Sequence, residues 1–579
     1  MSSGLYRSAN AAAPDGQGIL RADPVDIPPP AGPPAIEEPT GSGGGGAAGH
    51  SAVMAVGSLV SRGTGFLRTL VISAALGAAV GDAYTTAQIL PGMVFEFLLG
   101  GVLTSVLVPV LVRRRDTDPD RGEAYTQRLL SLAIVALFVA TVLAVLAAPL
   151  LTLLYIDADT PGETRTLINF LAWLMLPMIF FSGLSALMSA ILNVRGHFAA
   201  PMFTPILNNL VVIASFGLFI ALYGAREDLA AGDMNPVMIL LIGGGTLLGI
   251  IVQVAGLVPA LRRVGFHYRW RGQWRELGLA ELARLGGWMF CYVAVSQLGL
   301  IVVFKLANAA SAQGDAGPLI YNNVFLLVMT AHGIIAVSII TALLPRMSAA
   351  AAEGRFADFA DDVSRGTRTV TAVLAPIAVC YAVLSYPISV VLFHYGAFTE
   401  RNATDTGVVL LAGAVALVPF AISQLFTFAF YALPDTRTPA LVNIPVVGLR
   451  VAVQFGLFLV LSTSTVAAGL MFGNAVSYVA AAAVFAVLLR RRIGPIGAAQ
   501  ILATVGKVVA ASLGAALVGY LVLRLLPDTD SADRVIALAR LAVGGLVIVL
   551  TYLGLAMALR IREVTSVLGM VQRRLGLAR

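Results

Sequence analysis

A chain of 579 residues that is 58% hydrophobic and only 12% charged, with a mean hydropathy of +0.87, has too few polar residues to clothe a soluble fold and reads as a polytopic membrane protein. Its formal charge of +7 comes from arginines in short connections rather than from a basic soluble module with aromatics, which excludes nucleic acid as a partner. The two cysteines, Cys291 and Cys380, both fall in apolar spans and offer neither a disulfide framework nor a metal spacing.

Residues 1–50, rich in Pro, Gly and Ala and without apolar periodicity, predict a disordered tail. From Ser51 onward there are about fourteen apolar stretches, between residues 52 and 559, each long enough to cross a hydrocarbon core that takes about 20 helical residues. Backbone polar groups must be satisfied inside lipid, and these runs are too long for barrel strands, so the fold class is all-α. Arginine counts give the orientation. The even-numbered connections hold nineteen arginines, among them Arg113, Arg114, Arg115, Arg262 and Arg263, and the odd-numbered ones hold five. The positive-inside rule then places both termini in the cytoplasm.

An internal repeat is also legible. GGVLTSVLVPVLVRR around Pro109 resembles AVSIITALLPRMSAA around Pro345, and the segment at Pro201 resembles that at Pro439, with offsets of 236 and 238 residues. Six spans fill one repeat, so the halves run parallel and a site is expected where they meet. The predicted organisation is a first lobe over 51–263, a basic interfacial linker over 264–279, a second lobe over 280–492, and two further helices with a short tail over 493–579.

Several ionisable residues lie inside or beside spans, where a charge costs roughly 2.5–3.5 kcal/mol even on lenient scales and is a functional candidate by default. Arg62 and Arg68 lie six apart on the first span, offset by about 120° around a helix. Their guanidinium groups stay charged and suit bidentate binding of a pyrophosphate; the alternative is snorkelling, or structural pairing with Asp82 or Glu96. Asp82, at the first turn, reads as a helix cap or as a gating partner of an arginine. Glu96 lies in the second span, and the repeat offset places His332 opposite it as a group able to carry a proton. Lys305, one of only two lysines in the chain, falls near the counterpart of Arg68, so a cavity positive on both walls and attractive to an anion is expected. No nucleotide, metal or cofactor motif occurs, and no cofactor is expected.

SRGTGFLR, LGAAVGDAY, LPGMVFEFLLGGVLTSVLVPVL, FAAPMFTPILNN, GIIAVSIITALLPRMS and FYALPDTRTPALV, in this order, resemble the MurJ/MviN lipid II flippases of the MOP exporter superfamily. The resemblance implies two six-helix lobes around a cationic central cavity, with helices 13 and 14 forming a groove for a polyprenyl tail. It implies a transporter rather than an enzyme, in a bacterial plasma membrane. The implied activity is movement of lipid II, the undecaprenyl-pyrophosphate-linked peptidoglycan precursor, to the outer leaflet by alternating access. Membrane lipids and cell-wall synthesis or division proteins are the further partners it implies. The family's helix 1 arginines map onto Arg62 and Arg68, and its following aspartate onto Asp82. The usual LPN reads LPG here, with Gly92, and the carboxylates of a sodium site are not evident. A flippase for another polyprenyl-linked glycan and a drug or cation antiporter are the alternatives.

Overall fold

The computed structural model describes residues 46–100, 108–157, 159–277, 279–527 and 533–566. The predicted tail lies outside the described residues up to residue 45, and 46–50 already belong to the first helix. The regular secondary structure of the described residues is all helical, without strands. The spans are α1 (Gly46–Leu76), α2 (Ala79–Phe95), α3 (Glu123–Leu146), α4 (Gly162–Val194), α5 (Ala199–Tyr223), α6 (Pro236–Arg263) and α7 (Leu279–Ser311). There follow α8 (Pro318–Ala352), α9 (Phe356–Val383), α10 (Glu400–Ala432), α11 (Arg437–Val460), α12 (Val466–Ile493), α13 (Ala498–Leu525) and α14 (Arg534–Ala558).

Thirteen of these are long and apolar enough to cross a membrane. The second of the fourteen expected spans is not among them: residues 101–107 lie outside the described residues, and on either side of them stand α2 with a π-helical turn at Glu96–Gly100 and a helix over Val108–Thr117. A π-turn widens the helix and misaligns the residues on either side of it. A π-turn of the same kind lies within α6 at Leu240–Gly244. Pro177 interrupts α4.

Helices α1 to α6 pack among themselves, as do α7 to α12. The first lobe is organised around Tyr84, fully buried on α2, whose hydroxyl is 2.8 Å from Thr246 Oγ1 of α6 and whose ring meets Phe216 of α5 edge-on at 5.3 Å. The second has its own core, with Phe430 of α10 against Phe485 of α12 at 5.5 Å. Helices α13 and α14 pair with each other and lean on α9, where Tyr552 donates to the Ala372 carbonyl at 2.7 Å. Each of these buried hydroxyls satisfies a polar group that would otherwise cost about 1–3 kcal/mol.

The repeat is visible in side chains, in a shifted register. Asn209 of α5 donates to the Ser61 carbonyl (3.3 Å) and Thr64 Oγ1 (3.0 Å) of α1. Asn443 of α11 donates in the same way to the Tyr292 carbonyl (3.0 Å) and Ser296 Oγ (2.9 Å) of α7. This pairs Asn209 with Asn443 and therefore Pro205, not Pro201, with Pro439, one helical turn from the register read in the sequence. By the same equivalence, Arg68 corresponds to Gly299 or Leu300 rather than to a position beside Lys305.

At the arginine-rich end, the connections are tied down by their own charges. Arg195 donates to the Val264 carbonyl at 3.1 Å and lies over the Phe266 ring at 5.0 Å. Asp435 pairs with Arg492 and accepts from the Thr438 backbone N–H at 2.9 Å. Burial acts to raise the Asp435 carboxyl, but the Thr438 donors and Arg492 outweigh it and hold it below the usual carboxylate range. The basic linker is fastened to α3: Gln127 donates to the His267 carbonyl (2.9 Å) and accepts from Arg271 Nε (2.8 Å), and Tyr268 meets Ser131 at 3.0 Å. Its Trp270 stays exposed.

Candidate functional site between the lobes

The two lobes meet through α1 and α2 on one side and α7, α8 and the α9–α10 connection on the other. Their polar contacts gather at the end of the bundle opposite the arginine-rich connections and form a clasp. Asp82, only 3% exposed, is its centre. Its carboxylate accepts from Ser311 Oγ at 2.5 Å and from the backbone N–H of Leu319 at 2.7 Å. Leu319 lies in the first turn of α8, which leaves its early N–H groups without intrahelical acceptors. A carboxylate of one lobe thus caps a helix of the other, where the helix dipole also favours negative charge. Gly317 lets it approach, since a side chain there would collide with Asp82 Oδ2. Neither of the sequence alternatives for Asp82, a cap on α2 or a partner for an arginine, is what the structure gives it.

Around Asp82, Thr86 Oγ1 donates to Asn308 Oδ1 (3.0 Å) and Asn323 Nδ2 donates to Ser73 Oγ (2.9 Å), both buried. At the turn after α1, the Ala397 N–H donates to the Ala74 carbonyl at 2.8 Å. Gly77 sits in the same turn at φ +62, facing the Ala397 carbonyl. Lys305 belongs to this clasp. Its ammonium is 3.2 Å from Asp157 of the first lobe, and the two side chains are 45% and 39% exposed. The shifted repeat register explains why: Lys305 lies more than a turn of α7 beyond the counterpart of Arg68.

That pair gives a direct test. Such half-exposed pairs are worth about 0.2–1 kcal/mol, so Lys305→Asp or Asp157→Lys alone should lower the closed-to-open ratio of the clasp up to ~5-fold, and the double exchange should restore most of it. Spin labels at Asp159 and Gln313, with Cys291 and Cys380 replaced by alanine, read the two distance populations. Identical populations in all four proteins would remove the pair from the clasp.

Deeper in the bundle, α1 presents the two arginines. Arg62 is exposed, and its guanidinium packs on α8 against Gly333, where a methyl group would fall 2.5 Å from Nη1. Arg68 is half-buried, and its Nε has no hydrogen-bond partner among the described residues. Neither forms an ion pair with Asp82 or Glu96. His332, next to Gly333, is buried, with its ring 4.5 Å from that of Phe420 and Nδ1 without a partner. Glu96 opens the π-turn, half-buried, and has no hydrogen bond or ion pair among the described residues. The structure therefore brings Arg62 next to the His332 segment, assigns Asp82 and Lys305 to the clasp, and leaves Glu96 without the ion pair expected of it.

Among the in-span cations passed over in the sequence reading, one stands out in the structure. Arg450 stands midway along α11, in VVGLRVAVQFG, and the criterion that singled out Arg62 and Arg68 applies to it equally. Asp157, Ser311 and Asn308 were also missed, since each matters only through its cross-lobe partner.

Two lobes of six helices each, joined at one end by a polar clasp and presenting unpaired arginines further in, define a membrane transporter rather than a catalyst. The sequence profile described as "Lipid II flippase MurJ" matches residues 72–530, and the chain belongs to that family. Relatives named "Probable lipid II flippase MurJ" include one from Rhizobium meliloti (strain 1021), 27% identical over 75% of this chain and 79% of the relative. Another, from Vibrio cholerae serotype O1, is 26% identical over 66% of this chain and 72% of its own length. Among solved structures, one titled "Lipid II flippase MurJ, inward closed conformation" superposes with a TM-score of 0.69 at 19% identity, covering 88% of this chain and 99% of the other. A multidrug resistance MATE family transporter of the MOP superfamily in an inward-facing conformation gives a TM-score of 0.61 at 15% identity over 74% and 94% of the two chains. At these identities the structural matches establish the fold.

Proposed function

We propose that this protein moves lipid II from the cytoplasmic to the outer leaflet of a bacterial plasma membrane by alternating access. In this reading both termini are cytoplasmic, the clasp end faces outward, and the structure is the outwardly closed state. The observation that carries it is the division of labour along α1 and α2. Asp82 holds the lobes together at one end, while Arg62 and Arg68 stand further in without carboxylate partners. Guanidinium groups without internal counterions are available to a pyrophosphate, which they bind through charge-assisted, bidentate hydrogen bonds. The head group enters from the arginine-rich side, its pyrophosphate is neutralised against α1, and release of the clasp then opens the other side. The polyprenyl tail stays in the bilayer, along α13 and α14.

The test is depletion of the protein in its own host with measurement of lipid II in each leaflet. Accumulation in the inner leaflet, reversed by re-expression, is the expected result. An unchanged leaflet distribution in depleted cells would remove lipid II as the substrate.

A further inference from the structure

Arg450 takes no part in the cleft described above. It lies on α11 inside the second lobe, with its guanidinium turned towards α7 and pressed over Gly299, where a side chain would collide with Nη2. Nε and Nη2 are both buried and have no hydrogen-bond partner among the described residues. An arginine cannot shed its proton to escape such a site. A buried charge is tolerated only when something of opposite sign lies close by.

No carboxylate among the described residues supplies that sign. Arg450 adjoins a cavity of about 140 Å³ lined by Tyr292, Ser296, Phe420, Gln424, Asn443 and Tyr478 among others, none of them acidic. The hydroxyls of Tyr292 and Tyr478 and the amide of Gln424 have no hydrogen bond to other described residues, so the cavity offers neutral donors beside a fixed positive charge. The first lobe shows what the position holds when no such demand exists. In the register set by Asn209 and Asn443, the counterpart of Arg450 is Phe216, fully buried in apolar packing.

Size narrows the occupant. At about 30 Å³ per water, the cavity holds the equivalent of four or five waters, far below the roughly 300–1,000 Å³ of sites for organic ligands. We infer that the second lobe contains an internal binding site for a small inorganic anion of the halide class, with Arg450 as its charged ligand and Tyr292, Tyr478 and Gln424 as neutral donors. The site is separate from the α1 arginines, although Phe420, which lines it, also touches His332 and Tyr478. An anion here therefore lies one ring away from the segment that Arg62 contacts.

Halide binding is read from thermal unfolding of the purified full-length protein in detergent, in sodium chloride or bromide against sodium gluconate at matched ionic strength. A ligand bound only by the folded state raises the midpoint with the logarithm of its concentration. The expected result is a halide-dependent rise that persists in the Arg62→Gln, Arg68→Gln double variant and falls to the gluconate baseline in Arg450→Gln. Should Arg450→Gln not fold, bromide anomalous scattering from crystals of the unaltered protein decides the matter, with density beside Arg450 expected. Equal midpoints in halide and gluconate, a halide rise retained by Arg450→Gln, or bromide found only beside Arg62 and Arg68 would each overturn the site.

Discussion

Arg68→Ala is expected to abolish lipid II transport, and Arg68→Lys to retain a small fraction of it. Arg68 is the half-buried arginine of α1, and its Nε lacks an internal partner. A pyrophosphate bound there replaces nothing the protein already makes. Loss of a charge-assisted contact worth about 3 kcal/mol corresponds to roughly a 150-fold fall in binding. Lysine keeps the charge but not the planar fork, so partial activity is the expected result. Arg62→Ala should act in the same direction but less, about 10-fold, because Arg62 is exposed and water screens it. Flipping rates of fluorescent lipid II in proteoliposomes measure all three. An Arg68→Ala protein that flips at the unaltered rate would remove the electrostatic mechanism.

Asp82→Ala should have an effect of similar size by a different route. The carboxylate accepts two hydrogen bonds across the lobes, each of the charge-assisted kind worth about 1.5–3 kcal/mol. Its loss also leaves the Leu319 N–H without an acceptor at the start of α8. The closed population should fall by at least about 10-fold. In the spin-label experiment at Asp159 and Gln313 the long-distance population becomes dominant, and transport fails because the lobes no longer return to the closed state. Asp82→Asn keeps one acceptor and should lie between. A closed population unchanged in Asp82→Ala would mean that the apolar packing of α2 on α7 and α8 holds that end without the carboxylate.

The spans were legible because apolar runs of some 20 residues have few other uses, and Arg62, Arg68 and Asp82 stood out because charge is scarce in such a chain. The π-turn at Glu96–Gly100 was not legible, since nothing in EFLLG announces it. The repeat was read one turn out because Pro201 and Pro205 are equally good partners for Pro439 by sequence. Only the hydrogen bonds of Asn209 and Asn443 separate them. That slip placed Lys305 level with Arg68, whereas it lies at the clasp with Asp157. The clasp itself was out of reach, since its members pair across more than a hundred residues of chain. Arg450 was within reach, being as isolated a charge in its span as Arg62 and Arg68 are in theirs.

The clasp has a temporal consequence. It is not one strong bond but several moderate ones, contributed by Asp82, Thr86, Asn323, Lys305 and the Ala74 carbonyl. Each neutral contact is worth about 1 kcal/mol, which corresponds to about a fivefold change in how long the lobes stay together. Substitutions along this seam should therefore tune the dwell time of the clasped state in steps. The cycle time of the transporter becomes adjustable from positions that never touch its cargo.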